Sequence, residues 1–148
     1  AIDKNIDFFG FSDHAPMSFD TKYRMKFEDM EKYEKEVLKA KQIYQKDINI
    51  LLAYEVDYLP QFLDKRVLNA SVDYLIGSVH FIDQWGFDNP KYISEYRNKD
   101  IDTIWQNYFN LIEAMAKTNH FNIVGHIDLI KVFKFLPKKD IRLIAKNA

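Results

Sequence analysis

Four short apolar runs recur along the chain, each carrying a side chain able to ligate a metal: IDFFGFSDH (His14), NILLAYEVD (Glu55), VDYLIGSVH (His80) and NIVGH (His126). Runs this short and this apolar predict strands covered on both faces. Between the first two, residues 27–46 set Phe27, Met30, Tyr33, Val37, Leu38, Ala40 and Tyr44 at helical spacing with charges between them, which predicts an amphipathic helix. A strand over 49–56 follows, then Pro60, a short helix over 61–70 and a third strand over 72–79. Residues 81–99 are rich in Gly, Asn, Asp, Pro and aromatics and predict a long loop. A second helix spans 101–118, with Ile104, Trp105, Tyr108, Leu111, Ile112 and Met115 on one face. Residues 122–125 lead the fourth strand into His126, and the segment after Pro137 carries a short helical pattern.

Strands alternating with helices predict an α/β fold with parallel pairing and right-handed crossovers, either a barrel or an open doubly wound sheet. Ligand-type residues at the same end of four successive strands favour the barrel, because an open sheet concentrates its site at one switch point. No linker or second composition interrupts the pattern, so residues 1–148 read as one domain. The chain starts close to an apolar run and stops within a helical pattern, so both ends are expected to be internal to a longer protein.

Composition narrows the chemistry. An apolar share of 47% in 148 residues is that of a folded core. With 21 basic against 22 acidic residues the net charge is -1, so no overall field draws the chain to nucleic acid or an anionic membrane. There is no cysteine, so any metal must be held by His and carboxylate. No apolar stretch approaches the roughly 20 residues of a membrane span. A cytoplasmic protein is the expectation.

Taken singly, each candidate has a bland alternative. His14, in F-S-D-H-A-P, could be a hydrogen-bonded turn residue. Glu55 sits inside an apolar run, where a lone carboxylate is costly unless a cation or strong donors compensate it; a salt bridge or a solvent-facing strand end would serve as well. Asp57 would point to the same side as Glu55 and could support a ligand from behind or meet substrate, but reads first as closing the strand. His80 stands where neutral imidazole suits a divalent ion, with Gly77 and Ser78 lowering local bulk. His126 follows Gly125, read as allowing close backbone approach, and Asp128 could orient its ring or cap the next turn. His120 reads as a helix-end residue outside the site. The common placement of His14, Glu55, His80 and His126 is what joins them into one expected site.

The segments G-F-S-D-H-A-P, L-A-Y-E-V-D-Y, Y-L-I-G-S-V-H-F-I with the following W-G-F-D, and V-G-H-I-D-L-I-K resemble, in order, motifs of the PHP (polymerase and histidinol phosphatase) family, and among them those of its histidinol-phosphate phosphatases. The resemblance implies part of a distorted (β/α)7 barrel with up to three divalent metals, commonly zinc, iron or manganese. It implies that His14, Glu55, His80 and His126 are metal ligands, with Glu55 bridging, and that hydrolysis of L-histidinol phosphate to L-histidinol and phosphate, a step of histidine biosynthesis, needs no protein nucleophile. The expected partner is then a small phosphorylated substrate.

Departures from the family pattern qualify this. The opening H-x-H pair, the acidic residue after it, and the late Asp and His have no counterpart here. The basic residue expected after G-H-x-D is represented by Lys131, a point charge where Arg would offer a bidentate fork; a solvated surface lysine is its alternative. Asp128 is the candidate for supporting a ligand from behind. Trp85, Phe87 and Tyr92 could wall a substrate or simply pack the loop down. An incomplete barrel would expose sheet edges and apolar faces, so self-association into a homo-oligomer is expected. Two alternatives stay open: another PHP phosphoesterase acting on nucleotides, and a catalytically inactive metal-binding fragment.

Overall fold

Parallel pairing begins with the first two apolar runs. A computed structural model describes residues 1–19 and 22–148; the polar segment 15–26, which its sequence predicts to be a loop, includes Asp20 and Thr21, which lie outside the described residues. The strands Phe8–His14 (β1) and Asn49–Asp57 (β2) run parallel, with Phe8 opposite Asn49 and His14 opposite Glu55. Such a pair needs a crossover, and the helix Met30–Ile43 (α1), entered through a 3-10 turn at Phe27–Asp29, supplies it. Further on lie the helix Lys65–Leu68 (α2) and the strands Tyr74–Ser78 (β3), Phe81–Ile82 (β4) and Trp85–Gly86 (β5). The helix Ile101–Lys117 (α3), the strand Ile123–Val124 (β6) and the helix Ile141–Ile144 (α4) complete the order. The described strands form a four-stranded sheet in the order β1-β2-β3-β6 and a separate pair, β4-β5.

The chain divides into two compact units, residues 1–56 with 61–76, and residues 57–60 with 77–148. In the first, Val37 of α1 meets Ile48, Ile50 and Leu52 in a core to which Tyr33, Ala40 and Val72 contribute. The two tyrosines beside it put their rings in the apolar layer and their hydroxyls on partners. Tyr33 donates to the Ala53 carbonyl at 2.9 Å, and the fully buried Tyr54 donates to Glu34 at 2.9 Å. Asp73, just ahead of β3, accepts from the Leu52 N–H at 2.8 Å and from Lys41 at 2.9 Å, pinning the chain against β2.

The second unit is built on α3, whose start is capped by Asp100 accepting from the Thr103 N–H at 2.8 Å. Its buried face, Ile104, Trp105, Tyr108, Phe109, Ile112 and Met115, follows the predicted periodicity, with Phe109 in place of Leu111. Gly77 is where this unit packs tightest: a methyl group there would lie 2.7 Å from both Met115 Sδ and Phe121 Cγ. Aromatics fill the remainder. Tyr96 stacks on Phe135 with ring centroids 4.6 Å apart and donates to the Phe87 carbonyl at 3.1 Å.

Three expectations change here. The strands are not all covered on both faces: β1 exposes Phe8 (65%) and β6 exposes Ile123 (47%), because these are the outer strands of the described sheet. Residues 81–99 are not an open loop. They hold the β4-β5 hairpin, turned at the left-handed Asp83 (φ 55), and a 3-10 helix over Pro90–Asn98 whose first turn Asn89 caps at Lys91 N–H. Two-residue strands are too short to show an alternating pattern. The helix expected over 61–70 is a 3-10 turn, Pro60–Phe62, followed by the four residues of α2.

Candidate metal centre

His14 is the last residue of β1 and lies opposite Glu55 in the parallel register. The Ala15 N–H donates to the Glu55 carbonyl at 2.8 Å, and Ala15 and Met17 are buried, so the backbone leaving His14 is held down. His14 Nδ1 stands 3.8 Å from Glu55 Oε2, beyond hydrogen-bond length. Glu55 keeps 17% of its side-chain surface exposed, so its carboxylate is partly buried at the end of β2.

In the second unit, His80 lies two residues beyond the end of β3. Its Nδ1 is hydrogen-bonded to Oδ1 of Asp57, whose side chain is 1% exposed. The His126 ring lies 5.1 Å from that of His80, centroid to centroid. The residue with left-handed backbone is His126 itself (φ 44), not Gly125 before it. That conformation is unusual for a non-glycine residue, and it is held by Tyr108 of α3, whose hydroxyl donates to the His126 carbonyl and accepts from the Leu129 N–H at 3.3 Å.

Asp88 belongs to the same neighbourhood. Burial pushes its carboxyl above the ordinary range, opposed by His80 and His126 and reinforced by Asp57. Asp128 does not cap the following turn; its carboxylate pairs with Lys131, and both side chains are at least half exposed. Of the loop aromatics, Phe87 is fully buried and Trp85 packs against Tyr96 at 4.7 Å, which is the packing role, whereas Tyr92 is exposed.

Within the first unit the ligand-type side chains His14 and Glu55 stand together at the paired ends of β1 and β2, and within the second His80 stands with His126, Asp57 and Asp88. Read from the sequence, Asp57 has a supporting role only as its second reading, although its two-residue spacing from Glu55 puts both on one face, and Asp88 has none. The latter is the last residue of W-G-F-D, a segment quoted for its likeness alone.

This chain belongs to the PHP family: the PHP domain model matches residues 1–148. A Deinococcus radiodurans protein named "Probable histidinol-phosphatase" is 35% identical over 141 residues, covering 92% of this chain and 54% of that protein. Among solved structures, a candidate histidinol phosphatase from Listeria monocytogenes matches with a TM-score of 0.76 at 21% identity, over 98% of this chain and 69% of the other. The histidinol phosphate phosphatase of Lactococcus lactis, solved with zinc, L-histidinol and phosphate, matches with a TM-score of 0.68 at 18% identity, over 88% of this chain and 49% of the other. At these identities the structures establish a shared α/β fold. The chain spans about half the length of the curated relatives it matches. No helix among the described residues is long and apolar enough to cross a membrane.

Proposed function

We propose that the chain carries a divalent-metal centre for phosphomonoester hydrolysis, with His14, Glu55, His80 and His126 as ligands and Glu55 bridging, and that the substrate is L-histidinol phosphate. The observation that carries this is the pair His14 and Glu55, set opposite each other at the ends of β1 and β2 with Nδ1 and Oε2 3.8 Å apart. Its donors fit such ions. Imidazole nitrogen and carboxylate oxygen without thiolate is a set that zinc, iron and manganese accept. The 3.8 Å between His14 and Glu55 also falls within the span of two donors that each sit about 2.0–2.2 Å from one ion.

Bound ions would supply charge neutralisation for the phosphoryl oxygens and the leaving alkoxide. The chain's own part is to hold the ligands. His14 and Glu55 are fixed by the paired ends of β1 and β2, His80 by its bond to Asp57, and His126 through its backbone by Tyr108. Lys131 is the candidate cation for the substrate phosphate; to serve, its ammonium must leave Asp128. A surface pair of this kind is worth at most about 1 kcal/mol, so the exchange is inexpensive. Support for the substrate comes from the names of the curated relatives and from the L-histidinol and phosphate held by the Lactococcus lactis enzyme. The proposed setting is cytoplasmic.

Titration of the metal-free chain with Zn2+ and, separately, Mn2+, followed by phosphate release from L-histidinol phosphate and from a nucleoside monophosphate, tests the reading. Stoichiometric binding that is lost in Glu55→Gln, with L-histidinol phosphate the better substrate, is expected. Absence of stoichiometric binding, or preference for the nucleotide, would overturn it.

A further inference from the structure

We infer that Asp57 is a positioning residue for the metal centre: its buried carboxylate takes the Nδ1 proton of His80 in a hydrogen bond and so presents the Nε2 lone pair of that ring to the cation. The inference rests on the metal-centre reading above. It begins from the structure of imidazole, which in its neutral form carries one N–H and one lone pair, so that a strong acceptor at one nitrogen decides which nitrogen is left to ligate. Asp57 Oδ1 is that acceptor for Nδ1. Nε2 is therefore the atom left to His80 for ligating a cation.

The pair is held rather than incidental. The Asp57 and His80 side chains are 1% and 12% exposed, so water competes poorly for either. The residue after Asp57 donates its backbone N–H to Ser78, two residues before His80, at 2.8 Å, and Val79 between them is fully buried. Both side chains thus leave backbone segments that are bonded to each other. A carboxylate this deep needs a donor to offset its lost hydration, and the imidazole N–H provides one. Carboxylate behind imidazole in front of a metal is the arrangement that fixes ring orientation and raises ligand basicity in metal sites generally.

Two measurements on the full 148-residue chain decide the matter. Nitrogen-15 spectra of the histidine rings in the metal-free protein, at a pH above the imidazole range, report the tautomer of His80. Zn2+ titration against a competing chelator reports affinity for wild type, Asp57→Asn and Asp57→Ala. The inference expects Nδ1–H in wild type and in Asp57→Asn, whose amide oxygen still accepts, and a loss of that tautomer in Asp57→Ala. It expects zinc affinity to fall about 10- to 100-fold in Asp57→Ala and less in Asp57→Asn. Asp57→Asn preserves volume, so it carries the test if Asp57→Ala does not fold; its Zn2+ affinity then has to fall below that of wild type. A role confined to stability would lower the melting temperature without weakening zinc binding or altering the ring. Nε2–H in wild type, or unchanged zinc affinity in both variants, would overturn the inference and leave the metal centre standing. Failure of the wild type to bind Zn2+ would overturn the metal-centre reading and this inference with it.

Discussion

Gly77→Ala tests the packing that sets the approach to His80. The added methyl would lie 2.7 Å from Met115 Sδ, 2.7 Å from Phe121 Cγ and 2.9 Å from Phe121 Cδ2, all well inside van der Waals contact. Met115 is fully buried in the face of α3, so its thioether cannot swing away into solvent. Overpacking of this kind costs about 1–3 kcal/mol. Alanine restricts the unfolded chain more than glycine does, which returns about 0.4–1 kcal/mol. The net expectation is a loss of about 1–2 kcal/mol, or about 2–8 °C in melting temperature for a chain of this length. Urea unfolding followed by circular dichroism measures it. Met115→Ala should relieve part of the clash, so the double variant is expected to lose at least about 0.5 kcal/mol less than the sum of the single losses. A Gly77→Ala protein as stable as wild type, or losses that simply add, would refute the packing argument.

Tyr108→Phe removes the hydroxyl that bonds His126 and Leu129; a loss of about 1–2 kcal/mol by denaturant titration is expected, together with weaker Zn2+ binding, and neither effect should appear in the control Tyr92→Phe. Asp73 has its carboxyl held below 3.8, first by the Leu52 N–H and then by Lys41. A folded value below the unfolded one means its contribution is complete above pH 3.8 and fades as pH falls through the folded value. Wild type should therefore exceed Asp73→Asn in stability at neutral pH, with the gap narrowing below pH 3.8; a gap that is constant with pH would contradict the assignment. Removing metal with a chelator should lower the melting temperature of wild type and leave that of His80→Ala much less changed, since only an ion bound to the native state contributes to stability.

The helices and the site differ in how far they could be read from the chain. The α3 face repeats at 3.6 residues over about three turns, and its buried set is nearly the predicted one. The apolar runs located all four long-sheet strands, but they did not reveal which strands are outermost, so Phe8 and Ile123 were expected inside and are exposed. Gly77 was legible as a small residue but not as one pressed by Met115 and Phe121, which are distant in sequence. Likewise His80 could be chosen as a ligand from its place after a strand, whereas its bond to Asp57, 23 residues earlier, is a tertiary fact with no local signature. Asp88 escaped because the hairpin that folds it back consists of two-residue strands.

X-ray absorption at the zinc edge of the zinc-loaded chain tests the shared centre most directly. The account predicts a shell of nitrogen and oxygen at about 2.0–2.2 Å with the outer scattering of imidazole rings, losing one ring's contribution in His80→Ala and a carboxylate's in Glu55→Gln. Zinc bound without imidazole scattering, or a spectrum that neither substitution alters, would contradict it.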